Sequence, residues 1–276
     1  MTKQGLIFFS KMHGLGNDFM VIESCRQSVP PLTSKLIQQL ANRHRGIGFD
    51  QLLYIEHTQT SSADFSYRIF NADGTEVEQC GNGARCVAQF VYEQKLSNRP
   101  QIKFHTHSGI LETELLEPGI VKVNMGIPTL SAYRLPLTIN ETNLELAVLS
   151  IGNPHAVLRV DNISQAPVDS LGRLLESHEY FPQKTNVGFM EIITRDEIKL
   201  RVFERGVGET QACGSGACAA MVAGKALGLL NDKVTVQLPG GKLEIEWLGP
   251  MSSVWMTGPA TTVFTGKIDL GLSDYA

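Results

Sequence analysis

Short alternating runs of apolar residues dominate the chain, and each run predicts a strand. Phe65, Tyr67 and Ile69, for example, alternate with more polar neighbours. In the first half the predicted strands are residues 5–9, 19–22, 51–55, 65–70, 102–106, 110–116 and 120–125. In the second half they are residues 144–150, 156–160, 187–193, 198–203, 234–237, 242–247 and 254–256. Residues 11–18, rich in glycine, read as a loop.

Four segments carry apolar residues at helical spacing. Thr33 is a suitable N-cap for a helix to about residue 43, and a second amphipathic helix spans about residues 168–177. The other two helices follow Cys80, ending near Lys95, and span about residues 215–229. Their residues are small or apolar on nearly every side, so we expect a sheet to surround each of them.

The two nearly apolar helices begin with the same motif. Cys80-Gly81-Asn82-Gly83-Ala84-Arg85-Cys86 opens the first, and Cys213-Gly214-Ser215-Gly216-Ala217-Cys218 opens the second. Further pairs recur in the same order at offsets of 132 to 136 residues, among them Gly16-Asn17 with Gly152-Asn153, Arg68–Asn71 with Arg201–Glu204, and Leu111–Glu114 with Leu243–Glu246. The preserved order predicts an internal duplication.

The order of predicted elements indicates an α+β fold, because the strands arrive in antiparallel-looking runs. The duplication divides it into two pseudo-symmetric domains, each a mostly antiparallel sheet wrapped around a central helix. We expect the first domain to span residues 1–126 and the second to span residues 127–264. The C-terminal tail, about residues 265–276, is expected to return to the first domain.

Composition agrees with a soluble globular protein and excludes several classes of function. Of the 276 residues, 42% are hydrophobic and 19% are charged, and the net charge of −4 argues against a nucleic-acid-binding protein. We find no bilayer-spanning run and no signal-peptide pattern, so we expect no membrane partner. Five cysteines, an odd number, favour free thiols and a cytoplasmic location.

Cys80 and Cys213 stand out among the cysteines because each precedes the first turn of a predicted helix. The exposed N–H groups and the positive end of the helix dipole favour a thiolate there. Cys25, Cys86 and Cys218 are interpreted as buried structural residues. The spacing within each motif differs from the C-x-x-C of zinc and redox sites, so we expect no bound metal.

A reaction that inverts a tetrahedral carbon needs two equivalent acid/base groups, one on each face. The two-fold repeat would bring Cys80 and Cys213 together across one cleft, where one thiolate removes a proton and the other thiol delivers one. A substrate carboxylate would lie between the two helix N-termini. The amides of Gly81, Asn82, Gly214 and Ser215 would stabilise the negative charge that develops.

The motifs resemble those of diaminopimelate epimerases over essentially the whole chain. They are Gly14–Phe19, Phe70–Gly74, Glu78–Cys86, Gly152–His155 and the run from Glu204 to Thr210 that leads into Cys213. The resemblance implies interconversion of LL- and meso-2,6-diaminopimelate without a cofactor, in lysine and peptidoglycan-precursor synthesis. It also implies a small-molecule substrate and a homodimer.

The resemblance assigns roles residue by residue. Cys80 and Cys213 resemble the acid/base pair, and His155 and Glu204 resemble groups that tune the ionisation of the cysteines. Substrate-binding residues are implied at Asn17, Gln51, Asn71, Gly81, Asn82, Asn153, Asn186, Glu204, Arg205, Gly214 and Ser215. Phe264 stands where the family often has a tyrosine at the dimer interface, so the dimer contact here lacks that hydroxyl.

Several alternatives remain open from the sequence. Another cysteine-dependent racemase, such as one acting on proline, would use the same two-base mechanism. It would not need residues such as Glu204-Arg205 to bind a second amino-acid end of the substrate. A non-catalytic small-molecule binder would not need two intact cysteines. A cysteine hydrolase would need a Cys-His-Asn arrangement that is not recognisable here, and a pyridoxal enzyme would need a lysine in the repeated segments.

Overall fold

The computed structural model describes residues 5–77 and 81–270. The described residues up to Val123 and from Pro259 onward form one compact unit, and Asn124–Gly258 form the other. The sequence predicts divisions after residues 126 and 264, a few residues later in each case.

The helices and strands alternate through both units. In the first part of the chain they are β1 Leu6–Gly14, β2 Asn17–Glu23, α1 Ser34–Ala41, β3 Gln51–His57, β4 Phe65–Asn71, β5 Glu76–Val77, α2 Gly81–Glu93, β6 Gln101–Thr106, β7 Gly109–Glu117 and β8 Ile120–Asn124. In the remainder they are β9 Thr129–Ile139, β10 Thr142–Ser150, β11 Pro154–Arg159, α3 Val168–Glu176, β12 Asn186–Thr194, β13 Glu197–Glu204, β14 Gly208–Thr210, α4 Gly214–Ala226, β15 Lys233–Leu238, β16 Gly241–Glu246, β17 Trp255–Pro259 and β18 Thr261–Asp269. A short 3₁₀ helix spans Ile163–Gln165.

Each unit contains the same sequence of strand pairings. In the first, the order is β18-β1-β2-β3-β4-β6-β7-β8, with β2–β3 and β4–β6 parallel and the other pairs antiparallel. In the second, the order is β9-β10-β11-β12-β13-β15-β16-β17, with β11–β12 and β13–β15 parallel. The α+β class and the mostly antiparallel sheets are confirmed.

The sheet of each unit surrounds one central helix. Ten of the 13 residues of α2 are buried, and so are ten of the 13 residues of α4. A helix that is buried on nearly every side must be covered all round, and both helices pack against several strands of their own unit. The prediction of wrapped central helices is therefore confirmed.

The two remaining helices are amphipathic and lie outside the sheets. The Oγ1 atom of Thr33 accepts a hydrogen bond from the N–H of Leu36 at 3.2 Å, so Thr33 is the predicted N-cap. The apolar face of α1, which includes Ile37 and Leu40, packs on a core with Phe9 and Ile22 of the first unit. The α3 helix packs on a corresponding core in the second unit.

Residues 11–18 form a tight hairpin rather than the predicted loop. Leu15 and Gly16 alone connect β1 to β2, and both have positive φ angles, of 58° and 92°. Positive φ angles at both central residues are typical of a type I′ hairpin turn, whose twist matches that of the strands. Gly14 ends β1 and Gly16 lies in the turn, so the segment predicted as a loop is a hairpin whose strands carry Lys11 and Asn17.

Two long strands, β9 and β18, were not predicted. Both lie at the edge of their sheets within the described part of the chain, and most of their residues are exposed or only partly buried. Edge strands bury few side chains, so their hydrophobic pattern is weak. β18 pairs with β1 and thereby completes the first unit, at the place that β9 occupies beside β10 in the second. No helix in the described residues could span a membrane.

Candidate functional site

Cys213 caps the N-terminus of α4. Its backbone is extended, with φ −113° and ψ 106°, and its carbonyl accepts the N–H of Ala217 at 2.9 Å. The predicted position just before the first helical turn is therefore confirmed for this cysteine. The residue is only 4% exposed, so its thiol lies in a largely water-excluded environment.

The glycine three residues later makes room for this thiol. A Cβ atom at Gly216 would lie 3.2 Å from Cys213 Sγ and 3.0 Å from Val202 Cγ2. The N–H of Gly216 also donates a hydrogen bond to the sulfur. The second glycine of the motif thus allows the thiol to rest against the first turn of α4.

Replacing Gly216 by alanine is expected to lower kcat/KM by about tenfold, because the added methyl group displaces the thiol and catalysis is sensitive to sub-ångström misplacement. Steady-state activity assays of the variant and the wild type would measure this. Gly188→Ala is the matched control, since a Cβ there meets its nearest neighbour, Leu200 Cδ1, at an ordinary 3.5 Å. Equal activity of the two variants would contradict this role of Gly216.

Glu204 faces the Cys213 thiol and accepts a hydrogen bond from it. The carboxylate also accepts one from Thr210 Oγ1. Burial raises the pKa of Glu204, and these two hydrogen bonds oppose the increase. The side chain predicted to tune the cysteine is thus in direct contact with it.

Burial also raises the pKa of Cys213 well above its usual value, and the charge of Glu204 adds to the increase. Hydrogen bonds from the Gly216 N–H and Ser215 favour the thiolate but are outweighed. The helix N-terminus was expected to favour the thiolate of this cysteine, but desolvation by burial acts in the opposite direction and is the larger effect on its pKa.

A chain of polar side chains links His155 to the same thiol. His155 Nε2 lies 3.0 Å from Asn153 Oδ1, Asn153 Nδ2 donates to Ser215 Oγ at 3.3 Å, and Ser215 Oγ lies 3.7 Å from Cys213 Sγ. An amide oxygen only accepts, so the proton of the neutral imidazole is on Nε2. Burial, aided by the positive charge of Arg205, lowers the pKa of His155 to about 3.

His155 is expected to remain neutral, with the proton on Nε2, at every pH at which the protein is assayed. Its pKa of about 3 lies below that range, because the buried ring cannot be protonated without losing solvation. Ring ¹⁵N chemical shifts measured between pH 8 and pH 5 would test this. An imidazolium signal from His155 near pH 6 would contradict it.

Arg205 lies in an exposed turn that begins at the end of β13. Its Nη1 atom donates to the carbonyl of Gln183 at 3.1 Å, and its backbone N–H donates to Asn186 Oδ1 at 3.0 Å. Asn186 Nδ2 in turn donates to the carbonyl of Pro154 at 2.9 Å. The buried amide of Asn186 therefore holds the backbone segments that carry Arg205 and His155.

In the first unit, Gln51 and Asn71 are directly opposite each other on β3 and β4. Gln51 Nε2 donates to Asn71 Oδ1 at 2.9 Å, and Asn71 Nδ2 donates to Thr75 Oγ1 at 3.2 Å. Gln51 Oε1 is buried and has no hydrogen-bond partner within residues 5–77 and 81–270. Because a buried amide oxygen without a donor is costly, this atom suits a ligand donor such as an ammonium group.

Asn17 and Asn82 are joined at the start of α2. Asn82 Nδ2 donates to Asn17 Oδ1 at 3.3 Å, and α2 begins at Gly81. Arg85 is completely buried and donates to Asn82 Oδ1 at 3.0 Å. Cys80 lies outside the described residues, so the prediction of an acid/base there rests on the sequence.

The other cysteines differ in environment. Cys86 and Cys218 are completely buried, as predicted for structural residues. Cys25 is only partly buried, which corrects the prediction, and burial with the charge of Glu23 raises its pKa to about 11. In the described ranges no group of three or more His, Cys, Asp or Glu residues is placed to hold a metal ion.

Three residues important for this geometry were not singled out from the sequence. Thr210 holds Glu204, Asp50 holds Asn17 through a hydrogen bond of 3.0 Å, and Arg85 holds Asn82. Asp50 immediately precedes Gln51, and Arg85 lies within the first cysteine motif. Their neighbours in sequence were the only available signal, because the contacts join distant parts of the chain.

Comparison of the sequence with known proteins gives a consistent result. The family model described as diaminopimelate epimerase matches residues 9–131 and 147–263. A diaminopimelate epimerase of Chromobacterium violaceum is 53% identical over 273 residues, covering 95% of this chain and 99% of that protein. One of Stutzerimonas stutzeri is 50% identical over 276 residues, covering 96% and 100%.

Solved structures share the fold at low sequence identity. A hydroxyproline epimerase from Agrobacterium vitis superposes with a TM-score of 0.74 at 14% identity, covering 99% of this chain and 95% of that one. A phenazine biosynthesis protein of the PhzF family from Bacillus anthracis gives a TM-score of 0.72 at 15% identity, covering 95% and 99%. At these identities the similarity shows the fold alone.

Proposed function

Because the chain belongs to the diaminopimelate epimerase family, we propose that it interconverts LL- and meso-2,6-diaminopimelate without a cofactor. The reaction is a step in the synthesis of lysine and of peptidoglycan precursors. The observation that carries the proposal is the family match over nearly the full length, supported by a buried cysteine at the start of α4 with a carboxylate and a histidine-linked polar chain beside it.

The proposed reaction is a proton exchange between two cysteines. Cys80 and Cys213 act on opposite faces of the α-carbon: a thiolate on one face takes the α-proton, and the thiol on the other face donates its own proton to the carbanion. No net proton is gained or lost. The raised pKa of Cys213, caused first by burial, supports its role as the proton donor in the direction that begins at Cys80.

The helix N-termini are proposed to bind the carboxylate next to the reacting carbon. The first amides of α2, at Gly81 and Asn82, and those of α4, at Gly214 and Ser215, belong to helix starts, where backbone N–H groups have no partner within the helix. Donors already in place for the carboxylate also stabilise the enolate-like charge as it forms.

The amino acid at the remote end of the substrate needs its own binding groups. We assign Arg205 to its carboxylate, because a guanidinium can hold a carboxylate with two parallel hydrogen bonds. The amides of Asn17, Gln51, Asn71, Asn153 and Asn186, with the carboxylate of Glu204, complete the proposed set. The unpartnered Gln51 Oε1 supports an amide acceptor for an ammonium group.

The first test is incubation of reduced protein with LL-diaminopimelate and no added cofactor, followed by chiral chromatography. We expect the meso isomer to accumulate. Proline and hydroxyproline, tested in parallel, are expected to remain unchanged, because neither offers a second amino-acid end. Racemisation of proline without conversion of diaminopimelate would overturn the proposed substrate and favour the proline racemase alternative.

We further propose a homodimer whose contact includes Phe264. This residue is 48% exposed on β18, next to exposed Val263, and its ring packs edge-on against Phe9 at 6.0 Å. Exposed apolar side chains on an edge strand are typical of an association surface. A cytoplasmic location is proposed as well, because the mechanism needs reduced thiols.

Phe264→Lys is expected to shift the protein from dimer to monomer, because it places a charge in an apolar contact. Sedimentation velocity would measure the change, with the variant sedimenting as the single 30.3 kDa chain. Leu248→Lys, at another exposed apolar position of 69% exposure, is the control that should leave the dimer intact. A wild-type protein that is already monomeric at assay concentration would contradict the proposed dimer.

A further inference from the structure

A directed chain of hydrogen bonds in the first unit joins Arg85 to Asp50. Arg85 Nη2 donates to Asn82 Oδ1 at 3.0 Å, Asn82 Nδ2 donates to Asn17 Oδ1 at 3.3 Å, and Asn17 Nδ2 donates to Asp50 Oδ2 at 3.0 Å. Each amide accepts through oxygen and donates through nitrogen. The chain begins at a guanidinium, which only donates, and ends at a carboxylate, which only accepts, so both amides have one orientation.

Asp50 is held at both of its oxygens. Oδ1 accepts from Arg43 Nη2 at 2.7 Å, and Oδ2 accepts the backbone N–H of Asp18 at 3.1 Å as well as the amide of Asn17. Asp18 is itself paired with both Nη atoms of Arg43 at 2.8 Å and with Lys11 at 2.6 Å. The carboxylate at the end of the chain therefore has a fixed position and a fixed partner for each oxygen.

The second unit orients its corresponding asparagine differently. Asn153 Oδ1 faces His155 Nε2, and Asn153 Nδ2 donates to Ser215 Oγ. The residue that precedes Asn186, as Asp50 precedes Gln51, is the buried Thr185. The clamp formed by Asp50 and Arg43 is thus a feature that the duplication did not preserve.

We propose that Asp50, held by Arg43, is a positioning residue for the epimerisation: it holds the amide of Asn17 in the orientation in which Asn17 Oδ1 accepts from Asn82, whose own oxygen is held by Arg85. This inference rests on the proposed function, in which both asparagines bind substrate. A side-chain amide that is rotated by 180° presents its N–H group where the ligand needs an acceptor. Each asparagine amide must therefore have the correct orientation before the substrate binds. Asp50 acts through Asn17 and has no contact with the reacting atoms in this account.

The isosteric change Asp50→Asn tests the orientation directly. If the new amide points its oxygen at Asn17, its NH₂ group faces the donors of Arg43. If it points its oxygen at Arg43, its NH₂ group faces the donor of Asn17, and a compensating flip of Asn17 would turn NH₂ against the NH₂ of Asn82. Every arrangement leaves two donors facing each other.

Removing the guanidinium of Arg43, which donates to the other oxygen of Asp50, relieves this conflict. In Asp50→Asn/Arg43→Met the new amide can turn its oxygen to Asn17 at no cost. We therefore expect Asp50→Asn to lower kcat/KM by about tenfold, as for loss of one hydrogen bond to a charged group. Arg43→Met alone is expected to lower it about threefold at most, and the double variant is expected to recover to within about threefold of Arg43→Met.

The experiment combines kinetics with side-chain amide NMR of the reduced full chain. In wild type, one Asn17 NH₂ proton bonded to a carboxylate is expected to resonate downfield, to shift in Asp50→Asn and to return towards its position in the double variant. Asp169→Asn, which removes a carboxylate from an exposed pair with Arg173 at 3.0 Å, is the matched control expected to retain activity. Melting temperatures establish that each variant is folded.

The outcomes separate this inference from the proposed function. A double variant as impaired as Asp50→Asn, or more so, would overturn the positioning role, because a purely structural network would show additive losses. Unchanged kinetics in Asp50→Asn would overturn it as well, while leaving the epimerase intact. A wild-type protein without epimerase activity would overturn the proposed function, and the NMR shifts would still report whether Asp50 orients Asn17.

Discussion

Replacing Cys213 by alanine is expected to reduce epimerisation by about 10³-fold or more, within the range for loss of a positioned acid/base group. The reason is that one face of the α-carbon loses its proton carrier. Chiral chromatography of reactions started from each isomer would measure the loss. The same result is expected for Cys80→Ala.

The residual chemistry of Cys213→Ala offers a sharper test. Cys80 can still remove the proton from its own face and return a solvent proton to that face, so one isomer is expected to exchange its α-proton in D₂O with retention of configuration. Cys218→Ala, a completely buried position of the same helix, is the matched control and is expected to remain active. Interconversion of both isomers by Cys213→Ala at near wild-type rates would contradict the two-base mechanism.

Replacing Arg205 by lysine is expected to lower kcat/KM for diaminopimelate by about 10- to 100-fold. Loss of one hydrogen bond to a charged group costs about 1.5 to 3 kcal/mol, and lysine cannot reproduce a two-pronged contact with a carboxylate. The turn that carries Arg205 is held by Asn186 and also by buried Glu176, which accepts the N–H of Gly206 at 2.6 Å. The guanidinium is therefore pre-positioned.

Substrate analogues distinguish this role from a general loss of stability. The amino acid lysine lacks the remote carboxylate, so the rate of its reaction is expected to be low in wild type and to change little in Arg205→Lys. Discrimination between the two substrates is therefore expected to fall. Arg195→Lys is the matched control, since Arg195 contacts Asn231 and the carbonyl of Gly228. Equal losses for both substrates would contradict a carboxylate-binding role.

Much of the fold was predictable because its information is local and repeated. The alternation of apolar residues in β4 is typical of a strand, and the apolar residues on all sides of α4 are typical of a buried helix. The repeated order of the motifs indicated the duplication. The edge strands β9 and β18 escaped prediction because few of their side chains are buried. The hairpin at Leu15-Gly16 escaped because its glycine was read as a loop signal.

The sequence predicted which residues belong to the candidate site better than it predicted their pKa values. Sequence placed Cys213 at a helix start, but its pKa depends on how deeply the fold buries the thiol and on the charge of Glu204 beside it. In the clamp, Asp50, which immediately precedes β3, accepts a hydrogen bond from the side chain of Arg43, which follows α1. No periodicity records such contacts, and the second copy of the repeat lacks them.

The most direct test of the central claim is the isotope content of product and remaining substrate early in a reaction in D₂O. If Cys80 and Cys213 act on opposite faces, the donating thiol carries solvent deuterium before turnover, so each molecule of inverted product is expected to carry deuterium at its α-carbon. Substrate recovered at the same time is expected to keep its protium. Product that retains the substrate's own proton would show that a single base moves it from face to face, and would contradict the account.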